Sequence, residues 1–368
     1  MVMNKRVQHM NVSGVRKMFE LAAQMQNPLD LSLGQPDFPA PAEMKEAAIE
    51  SIRQDQNRYA PTAGLPILQK RILQKLREEN NIIAGEDQLI VTGAASGALS
   101  IILSTILNEG DEVLLLDPYF VSYQQLVIQH GGIPIYVKTR ADFSLDLAGI
   151  EQSVTPTTKI IMINSPNNPT GKVYDEQELR GLASIAIKHN LLIISDEIYE
   201  KFVFGKKHFS VGSIYPKTIT INGFSKTYAV PGWRVGYCVA PSDIIKEAVK
   251  VQQFNFVCAP VPFQYAAVKA LDIDMRGPIS GYEQKRNIIY EGLKNDYDLV
   301  KPEGAFYAFV RYPYEKERFL ANCIASNILV VPGNTFSQDD THFRISFATS
   351  NDILQQAVEI LRKIAKEK

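Results

Sequence analysis

The chain has few of the residues that stabilise disulfide-rich or metal-bound proteins. Its three cysteines, Cys238, Cys258 and Cys323, are widely spaced and form no CxxC pair. Such a scattered, odd set argues against a disulfide framework and against a zinc site, so we expect no metal. No stretch of 18 uninterrupted apolar residues occurs, and residues 1–10 lack an apolar secretory segment. A cytoplasmic protein without a membrane span is therefore expected.

The chain also has no excess of positive or negative charge. The 39 Lys and Arg residues are balanced by 40 Asp and Glu residues, which gives a net charge of −1. A chain without a basic surplus is not expected to bind nucleic acid or an anionic membrane, so a small ligand is favoured. With 368 residues, of which 45% are hydrophobic, the chain is long enough for two domains and a large core.

Apolar strand-like runs alternate with helix-like runs from residue 88 to about residue 240. Val/Ile/Leu-rich strands separated by amphipathic helices predict an α/β fold with a mostly parallel sheet covered on both faces. In such sheets, ligands bind at the carboxyl ends of the strands. The predicted strands are 88–92, 112–116, 133–137, 159–164, 191–195, 218–221 and 235–239. The predicted helices between them include 119–129 and 176–189. Beyond about residue 281, we expect a helix over 282–294 and strands near 306–310, 328–331 and 343–347.

Small and polar residues follow several of these strands. The first strand leads into a run of small residues that opens a helix, and the free N–H groups of Ala94, Ala95 and Ser96 can hold a phosphate. Close packing of the helix on the sheet explains the same residues equally well. After the second strand, the ring of Phe120 is expected at the pocket mouth. Asp196 ends another strand, where a buried carboxylate needs a cationic partner.

The segment 222–236 lies between two apolar strands and contains Lys226 and Arg234. Two solvated charges at strand ends would be the ordinary interpretation of such a pair. Here, three glycines allow a ligand to come close, and Ser225 adds a hydroxyl donor beside the lysine. A partly desolvated lysine near a second cation has a lowered pKa and becomes a nucleophile toward carbonyl groups. The segment therefore has what a Schiff-base lysine requires.

Together, these residues match the needs of pyridoxal 5'-phosphate (PLP). Asp196 would keep the pyridine nitrogen protonated, so that the ring can act as an electron sink. Asn168 and Tyr199 would bond the phenolic oxygen of the ring. Arg234 would form an ion pair with the phosphate, and the Ser225 hydroxyl would donate a hydrogen bond to it. The sequence is neither a GxGxxG nor a P-loop fingerprint, so a dinucleotide or a nucleoside triphosphate is not supported.

Three motifs resemble the signatures of class I/II aminotransferases of PLP fold type I, a group that includes aspartate and aromatic aminotransferases. They are Asn-Pro-Thr-Gly at 168–171, Asp-Glu-Ile-Tyr at 196–199, and Ser-Lys-Thr-Tyr-Ala-x-x-Gly-Trp-Arg-x-Gly-Tyr at 225–237. The resemblance covers nearly the whole chain. It implies a large PLP-binding domain of residues 36–280, in which a mostly parallel seven-stranded sheet lies between helices. It also implies a smaller α+β domain built from residues 1–35 and 281–368.

The resemblance also assigns residues that the local pattern leaves open. It implies a homodimer with shared active sites, in which Tyr59 would reach the cofactor phosphate of the neighbouring subunit. Phe120 would stack on the pyridine ring. Gly34 and Asn168 would line the site for the substrate carboxylate, and Arg344 matches the arginine of the family that binds this group.

The chain departs from the family pattern in two respects. Many relatives carry a serine where this chain has Gly223, so one phosphate contact must come from Ser225 or a backbone group. Some aspartate-preferring relatives carry a second cation at the places that correspond to Ser96 and the 254–256 region, and neither is basic here. An aromatic or other apolar amino donor is therefore expected. Aspartate stays open as a donor, because Arg16 or Lys17 on the amino-terminal segment could replace the cation.

The leading hypothesis is transamination from an L-amino acid to a 2-oxo acid such as 2-oxoglutarate, with Lys226, Asp196 and Tyr199 as the catalytic residues. Lys226 would release PLP to the amino acid and then move the α-proton as a general base. A PLP-dependent β-eliminating lyase of the C–S lyase type would use the same residues. A DNA-binding regulator that contains an aminotransferase-like domain is less favoured, because the charge is neutral and no helix-turn-helix extension is found.

Overall fold

The protein is described by a computed structural model that covers residues 3–12 and 14–367. Its strands are β1 (Leu29–Asp30), β2 (Leu89–Thr92), β3 (Glu112–Asp117), β4 (Ile133–Lys138), β5 (Thr158–Asn164), β6 (Leu192–Asp196), β7 (Thr218–Gly223), β8 (Gly236–Val239), β9 (Tyr307–Arg311), β10 (Ile328–Leu329), β11 (Val331–Pro332) and β12 (His342–Ser346). Its helices are α1 (Lys5–Gln8), α2 (Gly14–Ala22), α3 (Ala42–Arg53), α4 (Pro66–Asn80), α5 (Ala94–Ile106), α6 (Ser122–Gln129), α7 (Leu147–Gln152), α8 (Glu176–His189), α9 (Ser242–Asn255), α10 (Val261–Ala270), α11 (Arg276–Leu293), α12 (Lys316–Ala325) and α13 (Asn351–Ile364).

A seven-stranded sheet with the order β2-β8-β7-β6-β5-β3-β4 forms the centre of the fold. Strand β8 is antiparallel to both β2 and β7, and the other neighbours are parallel. These are the seven strands predicted from the sequence, with ends that shift by no more than two residues. The prediction of a mostly parallel seven-stranded sheet is confirmed.

Both faces of this sheet are covered by apolar clusters. Along β3, Val113 and Leu115 pack into a cluster that includes helix α5, whereas Leu114 and Leu116 pack into a cluster that includes helix α8. All four side chains are buried. Because side chains alternate across a strand, this division shows that β3 lies between two helical layers. Each such side chain stabilises the fold by roughly 1.5–3 kcal/mol of hydrophobic burial.

The parallel strands bring polar residues together at one edge of the sheet. Asn164 at the end of β5 pairs with Asp196 at the end of β6. Asp196 in turn pairs with Ile221 of β7, so the ends of these three strands lie side by side. The Asn164 amide donates to the Asp196 carbonyl oxygen at 2.9 Å and accepts from the Asn168 N–H at 2.7 Å. Asn164 therefore connects the end of β6 to the loop that follows β5.

Two smaller sheets contain the remaining strands. Strands β11, β12 and β9 form an antiparallel sheet in that order, and β1 pairs in parallel with β10. The sequence predicts one strand over 328–331, and this prediction is wrong, because β10 and β11 belong to different sheets. Pro332 has no N–H group to donate and ends β11 after two residues.

Two helices begin where the apolar pattern does not predict. Helix α6 starts at Ser122 rather than at Tyr119, and the Tyr119 N–H donates to the Phe336 carbonyl oxygen at 2.8 Å. Helix α11 starts at Arg276, six residues before the predicted position 282. Its first turn tolerates Pro278, because the N–H groups of a first turn have no partner within the helix.

None of the helices in residues 3–12 and 14–367 is both long and apolar enough to cross a membrane.

Candidate active site

A cavity of about 350 Å³ lies at the carboxyl edge of the sheet, where β5, β6 and β7 end. It brings together residues from widely separated parts of the chain. All residues that the sequence predicts for the site line this cavity, with the exception of Tyr59: Gly34, Ala94, Ala95, Ser96, Phe120, Asn168, Asp196, Tyr199, Ser225, Lys226, Arg234 and Arg344.

Lys226 projects into this cavity from the segment between β7 and β8. Its Nζ donates to the carbonyl oxygen of Gly34 at 2.7 Å. Burial lowers the pKa of Lys226 to about 8, and the positive charges of Arg344 and Arg234 contribute in the same direction. A larger fraction of this amine is therefore neutral near pH 7 than for an exposed lysine, as a nucleophile requires.

Asp196 ends β6 and is buried in the cavity wall. The Tyr123 hydroxyl donates to its Oδ2 at 2.8 Å, and the Ile198 N–H donates to its Oδ1 at 3.2 Å. Burial raises the pKa of Asp196 to about 6, and the Tyr123 hydrogen bond opposes that rise. Across residues 3–12 and 14–367, Asp196 forms no ion pair, so the chain itself does not supply the cationic partner that the sequence leads us to expect.

Arg344 lies on β12 and is buried, with two protein acceptors for its guanidinium group. Its Nη1 donates to Asn168 Oδ1 at 3.0 Å, and its Nη2 donates to the Ser32 carbonyl oxygen at 2.6 Å. Its Nε is buried and has no partner in the described part of the chain. The guanidinium carbon lies 4.5 Å from the ring centre of Tyr307 and 4.6 Å from that of Phe336. A guanidinium held in this way keeps N–H groups available for an anion.

The amino end of helix α5 approaches the segment that contains Arg234. Arg234 Nη2 donates to Ser96 Oγ at 2.7 Å, and Nη1 donates to the Pro231 carbonyl oxygen at 2.9 Å. A Cβ atom at Gly236 would lie 2.5 Å from backbone atoms of Ala94 and Ala95, so only glycine allows this approach. The first N–H groups of α5 and a guanidinium thus face the same space, which suits an anion.

The glycine that departs from the family pattern also has a structural reason. A Cβ atom at Gly223 would lie 3.1 Å from the Gly236 Cα and 3.1 Å from the Val235 carbonyl oxygen. A serine at this position would therefore press on the neighbouring strand. Ser225 lines the cavity instead.

Several cavity residues were not predicted from the sequence. Val15 from helix α2, Val121, Ser122 and Tyr307 all line the cavity. Tyr307 lies in the apolar strand β9, where nothing in the local pattern marks its hydroxyl as different from a packed ring. Val15 is next to Arg16, which the sequence offered as a possible cation, but Arg16 Nε donates to Glu20 at 3.2 Å on the exposed face.

Tyr59 lies away from this cavity. Its side chain is 83% exposed, and it lines a surface depression of about 250 Å³ with Phe256 and Cys258. Phe254 nearby in sequence is 87% exposed. The described cavity is therefore formed without Tyr59.

A larger cavity of about 540 Å³ is lined in part by Gly223, Phe224, Thr227 and Tyr228, which flank Lys226 in sequence, and several of its charged residues form ion pairs within the chain. Lys75 forms an ion pair with Glu200, and Asn80 donates to the same carboxylate at 2.7 Å. Glu197 and His208, next to Glu200, pair with each other at 2.9 Å. Since Lys75 already pairs with Glu200, and His208 with Glu197, internal ion pairs explain this cluster.

A buried lysine with a lowered pKa, a buried carboxylate and a buried arginine thus line one cavity at the carboxyl edge of an α/β sheet, an arrangement typical of an enzyme active site. Comparison with known proteins gives the class. The family model for aminotransferase class I and II matches residues 26–361.

Full-length relatives agree with this match. The chain is 38% identical to an aspartate aminotransferase of Pyrococcus abyssi, over 100% of this chain and 99% of the relative. It is 37% identical to aromatic-amino-acid aminotransferase 2 of Thermococcus litoralis, with the same coverage. The solved structure of an aspartate aminotransferase of Thermus thermophilus with maleate superposes with a TM-score of 0.95 at 34% identity and covers 99% of this chain and 100% of that one.

The chain belongs to the class I and II aminotransferase family. Its reaction class is amino-acid transamination, and the lyase alternative is not favoured, because these relatives are named as aminotransferases. The resemblance stated from the three sequence motifs is confirmed.

Proposed function

We propose that the chain is a PLP-dependent aminotransferase that takes an aromatic or other apolar L-amino acid as donor and a 2-oxo acid such as 2-oxoglutarate as acceptor. The observation that carries the proposal is the Lys226 amine, whose pKa is lowered to about 8 in a cavity that also contains Asp196 and Arg344. This amine can attack a carbonyl group near neutral pH.

The residues of the cavity fit PLP group by group. The buried carboxylate of Asp196 has donors but no ion-pair partner in the described chain, and a protonated pyridine nitrogen would supply one. Arg234, Ser225 and the amino end of α5 would hold the phosphate, with Ala94, Ala95 and Ser96 giving backbone N–H groups. Phe120 would cover the ring face, and Asn168 and Tyr199 would contact the phenolic oxygen. Bound PLP supplies an electron sink for the bond that breaks at the substrate Cα.

The chain's own residues would handle the proton. Lys226 Nζ, once neutral, would take the proton from the substrate Cα as a general base and would later give a proton back as a general acid. The Asp196 carboxylate would hold the ring nitrogen of bound PLP in its protonated form. Tyr199, which is buried, would donate to the phenolic oxygen. Lys226, Asp196 and Tyr199 are therefore the proposed catalytic residues.

Arg344 would bind the α-carboxylate of the substrate. Two of its five N–H groups are used by Asn168 and Ser32, which leaves a pair for a bidentate contact. The aromatic rings on either side fix the plane of the guanidinium. Gly34 would line the same subsite, since it lines the cavity together with Arg344.

The side chain of the donor would meet mostly apolar residues. Val15, Leu99 and Val121 line the cavity. The Ser96 hydroxyl accepts a hydrogen bond from Arg234. Lys17, which could have replaced the missing cation, lines a different cavity. The relatives named for aspartate and for aromatic amino acids are nearly equally similar to this chain, at 38% and 37% identity. The proposed preference for an apolar donor is therefore argued from the residues that line the cavity and not from the names of the relatives.

We further propose the domain and subunit arrangement implied by the resemblance. Residues 36–280 would form the large domain, and residues 1–35 and 281–368 the small one, of which residues 1, 2, 13 and 368 lie outside the described part of the chain. Two chains would form a cytoplasmic homodimer with shared sites. The exposure of Tyr59 supports a partner at this surface.

A panel of amino donors with 2-oxoglutarate tests the substrate class. We expect kcat/KM for phenylalanine and tyrosine to be at least as high as for aspartate, because the described lining of the cavity contains no cation besides Lys226, Arg234 and Arg344, which already have proposed roles. A strong preference for aspartate would contradict the apolar-donor proposal. Pyruvate and ammonia formed from a β-substituted amino acid without any acceptor would instead indicate the lyase.

A further inference from the structure

The Tyr307 hydroxyl lies in the wall of the cavity without a role in the proposed reaction. Tyr307 begins β9, and its side chain is 1% exposed. Its hydroxyl oxygen lies 3.0 Å from that of Tyr199, and either phenol can donate across this contact. A Cβ atom at Gly34 would lie 2.4 Å from the same oxygen, so the hydroxyl is enclosed on that side.

The hydrogen bonds of Tyr199 decide the direction of this contact. A phenol has one proton to donate and can accept hydrogen bonds at its oxygen. The Asn168 amide approaches the Tyr199 oxygen at 3.5 Å, and Tyr307 approaches it at 3.0 Å. When the Tyr199 proton is given to a ligand oxygen, the Tyr307 contact remains a hydrogen bond only if Tyr307 is the donor.

Tyr307 has no competing use for its proton. In the described part of the chain, Tyr199 is the hydrogen-bond partner of the Tyr307 hydroxyl. The position of the ring is fixed by its packing, since the Arg344 guanidinium lies 4.5 Å from the Tyr307 ring centre and Phe306 lies 4.8 Å from it. A fixed ring with one available acceptor directs its proton to that acceptor.

We propose that Tyr307 is a positioning residue that donates its hydroxyl proton to Tyr199 and so aims the Tyr199 proton at the phenolic oxygen of the cofactor. The proposal rests on the proposed binding of PLP. A phenol that accepts a hydrogen bond becomes a stronger donor itself, because hydrogen bonds in a chain polarise one another. Tyr307 would therefore act on the cofactor through Tyr199 without touching it.

The test is a pH titration of the visible absorption of the PLP-loaded protein, which needs no turnover. A hydrogen bond donated to the phenolic oxygen of bound PLP would stabilise the negative charge there and so favour the deprotonated form of the bound cofactor. Tyr307→Phe keeps the ring and removes only the hydroxyl. We expect the pH midpoint to rise by roughly half a unit to one unit, as the loss of about one net hydrogen bond implies.

A double-mutant cycle separates action through Tyr199 from direct action. We expect Tyr199→Phe to raise the midpoint further than Tyr307→Phe does, and the variant with both changes to match Tyr199→Phe alone. Tyr312→Phe is the matched control, because its hydroxyl accepts from the Gly333 N–H at 3.3 Å and does not line the cavity. Its midpoint should equal that of the unchanged protein.

Each outcome decides something. An unchanged midpoint in a fully loaded Tyr307→Phe protein would overturn the positioning role while leaving PLP binding intact. A shift that persists in the Tyr199→Phe background would also overturn it, since Tyr307 would then act directly. An unchanged protein that binds no PLP at all would overturn the proposed function, and the positioning role with it.

Discussion

Lys226 differs from the other lysines of the chain in its surroundings. Burial and two nearby guanidinium groups lower the pKa of its amine to about 8, from an ordinary value of 10.5. The amine is neutral above its pKa, so reactivity toward a carbonyl should rise with pH up to about 8 and then level off. An exposed lysine would continue to gain reactivity up to about pH 10.5.

The first prediction concerns this reactivity. At pH 7, the neutral fraction of Lys226 should exceed that of an exposed lysine by about 300-fold, as a difference of two and a half pKa units implies. The rate at which PLP attaches to the cofactor-free protein, measured after borohydride trapping and peptide mapping, should follow the titration of Lys226. Exposed Lys217 is the matched control. A rate at Lys226 that keeps rising to pH 10 would contradict the lowered pKa.

The second prediction at the scale of single residues concerns Arg344. Arg344→Lys keeps a positive charge but loses the planar fork, so the substrate carboxylate can no longer make a bidentate contact. We expect a loss of roughly 2–5 kcal/mol in transition-state binding, measured as kcat/KM for every amino acid. PLP binding, measured by absorption, should be nearly unchanged. Near-normal kcat/KM in this variant would remove Arg344 from the substrate site.

At the scale of elements, the approach of β8 to helix α5 shapes the proposed phosphate site. A Cβ atom at Gly236 would lie 2.5 Å from the backbone of Ala94 and Ala95, which cannot move without displacing the helix. The first turn of α5 and Arg234 therefore keep their spacing because residue 236 is glycine.

The third prediction tests this spacing. Gly236→Ala should push α5 away from β8, at a cost of roughly 1–3 kcal/mol for overpacking. We expect a lower melting temperature and a weaker PLP affinity, measured by thermal unfolding and by titration of the cofactor-free protein. Gly232→Ala is the control, since no atom lies within 4 Å of its Cβ position. Equal PLP affinity in the two variants would show that the contact does not shape the site.

Elements with strong local signals could be predicted from the sequence. Helix α8 begins and ends at the predicted residues, because Asp175 and Glu178 form a capping box and Asn190 adopts a left-handed conformation at its end. The division of 328–331 between two sheets could not be predicted, because β10 pairs with β1, about 300 residues away in sequence. Such pairing depends on tertiary structure, and the local pattern contains no signal for it.

The candidate site shows the same limit. Lys226, Asp196 and Arg234 follow strands or lie in turns, where polar residues attract attention in a sequence. Tyr307 and Val15 lie within apolar elements, and only the folded chain shows that they face the cavity. Arg344 was assigned by resemblance alone, because a single charge in a short strand has no distinguishing pattern.

At the scale of the whole molecule, the proposed active unit is a dimer. Tyr59 is 83% exposed and lies outside the cavity of its own chain, although it is predicted to hold the phosphate. A two-fold symmetric partner could place the equivalent tyrosine in each cavity. The proposed role of Tyr59 therefore depends on the assembly.

The fourth prediction tests this sharing with two inactive variants. Lys226→Ala removes the amine. Tyr59→Asp places a carboxylate near the cofactor phosphate, and repulsion between these two negative groups should weaken cofactor binding. When the two variants are unfolded and refolded together, about half of the dimers should be mixed, and each mixed dimer should contain one intact site. About a quarter of all sites should then regain full activity. Activity no higher than the average of the separate variants would rule out shared sites.

The central claim is that Lys226 holds PLP and transfers an amino group through it. The most direct measurement is borohydride reduction and peptide mapping of the PLP-loaded protein before and after an amino donor is added. We predict a pyridoxyl label on the Lys226 peptide, its loss when phenylalanine is added without acceptor, and its return when 2-oxoglutarate follows. A label on another lysine, or a label on Lys226 that the donor leaves unchanged, would contradict the account.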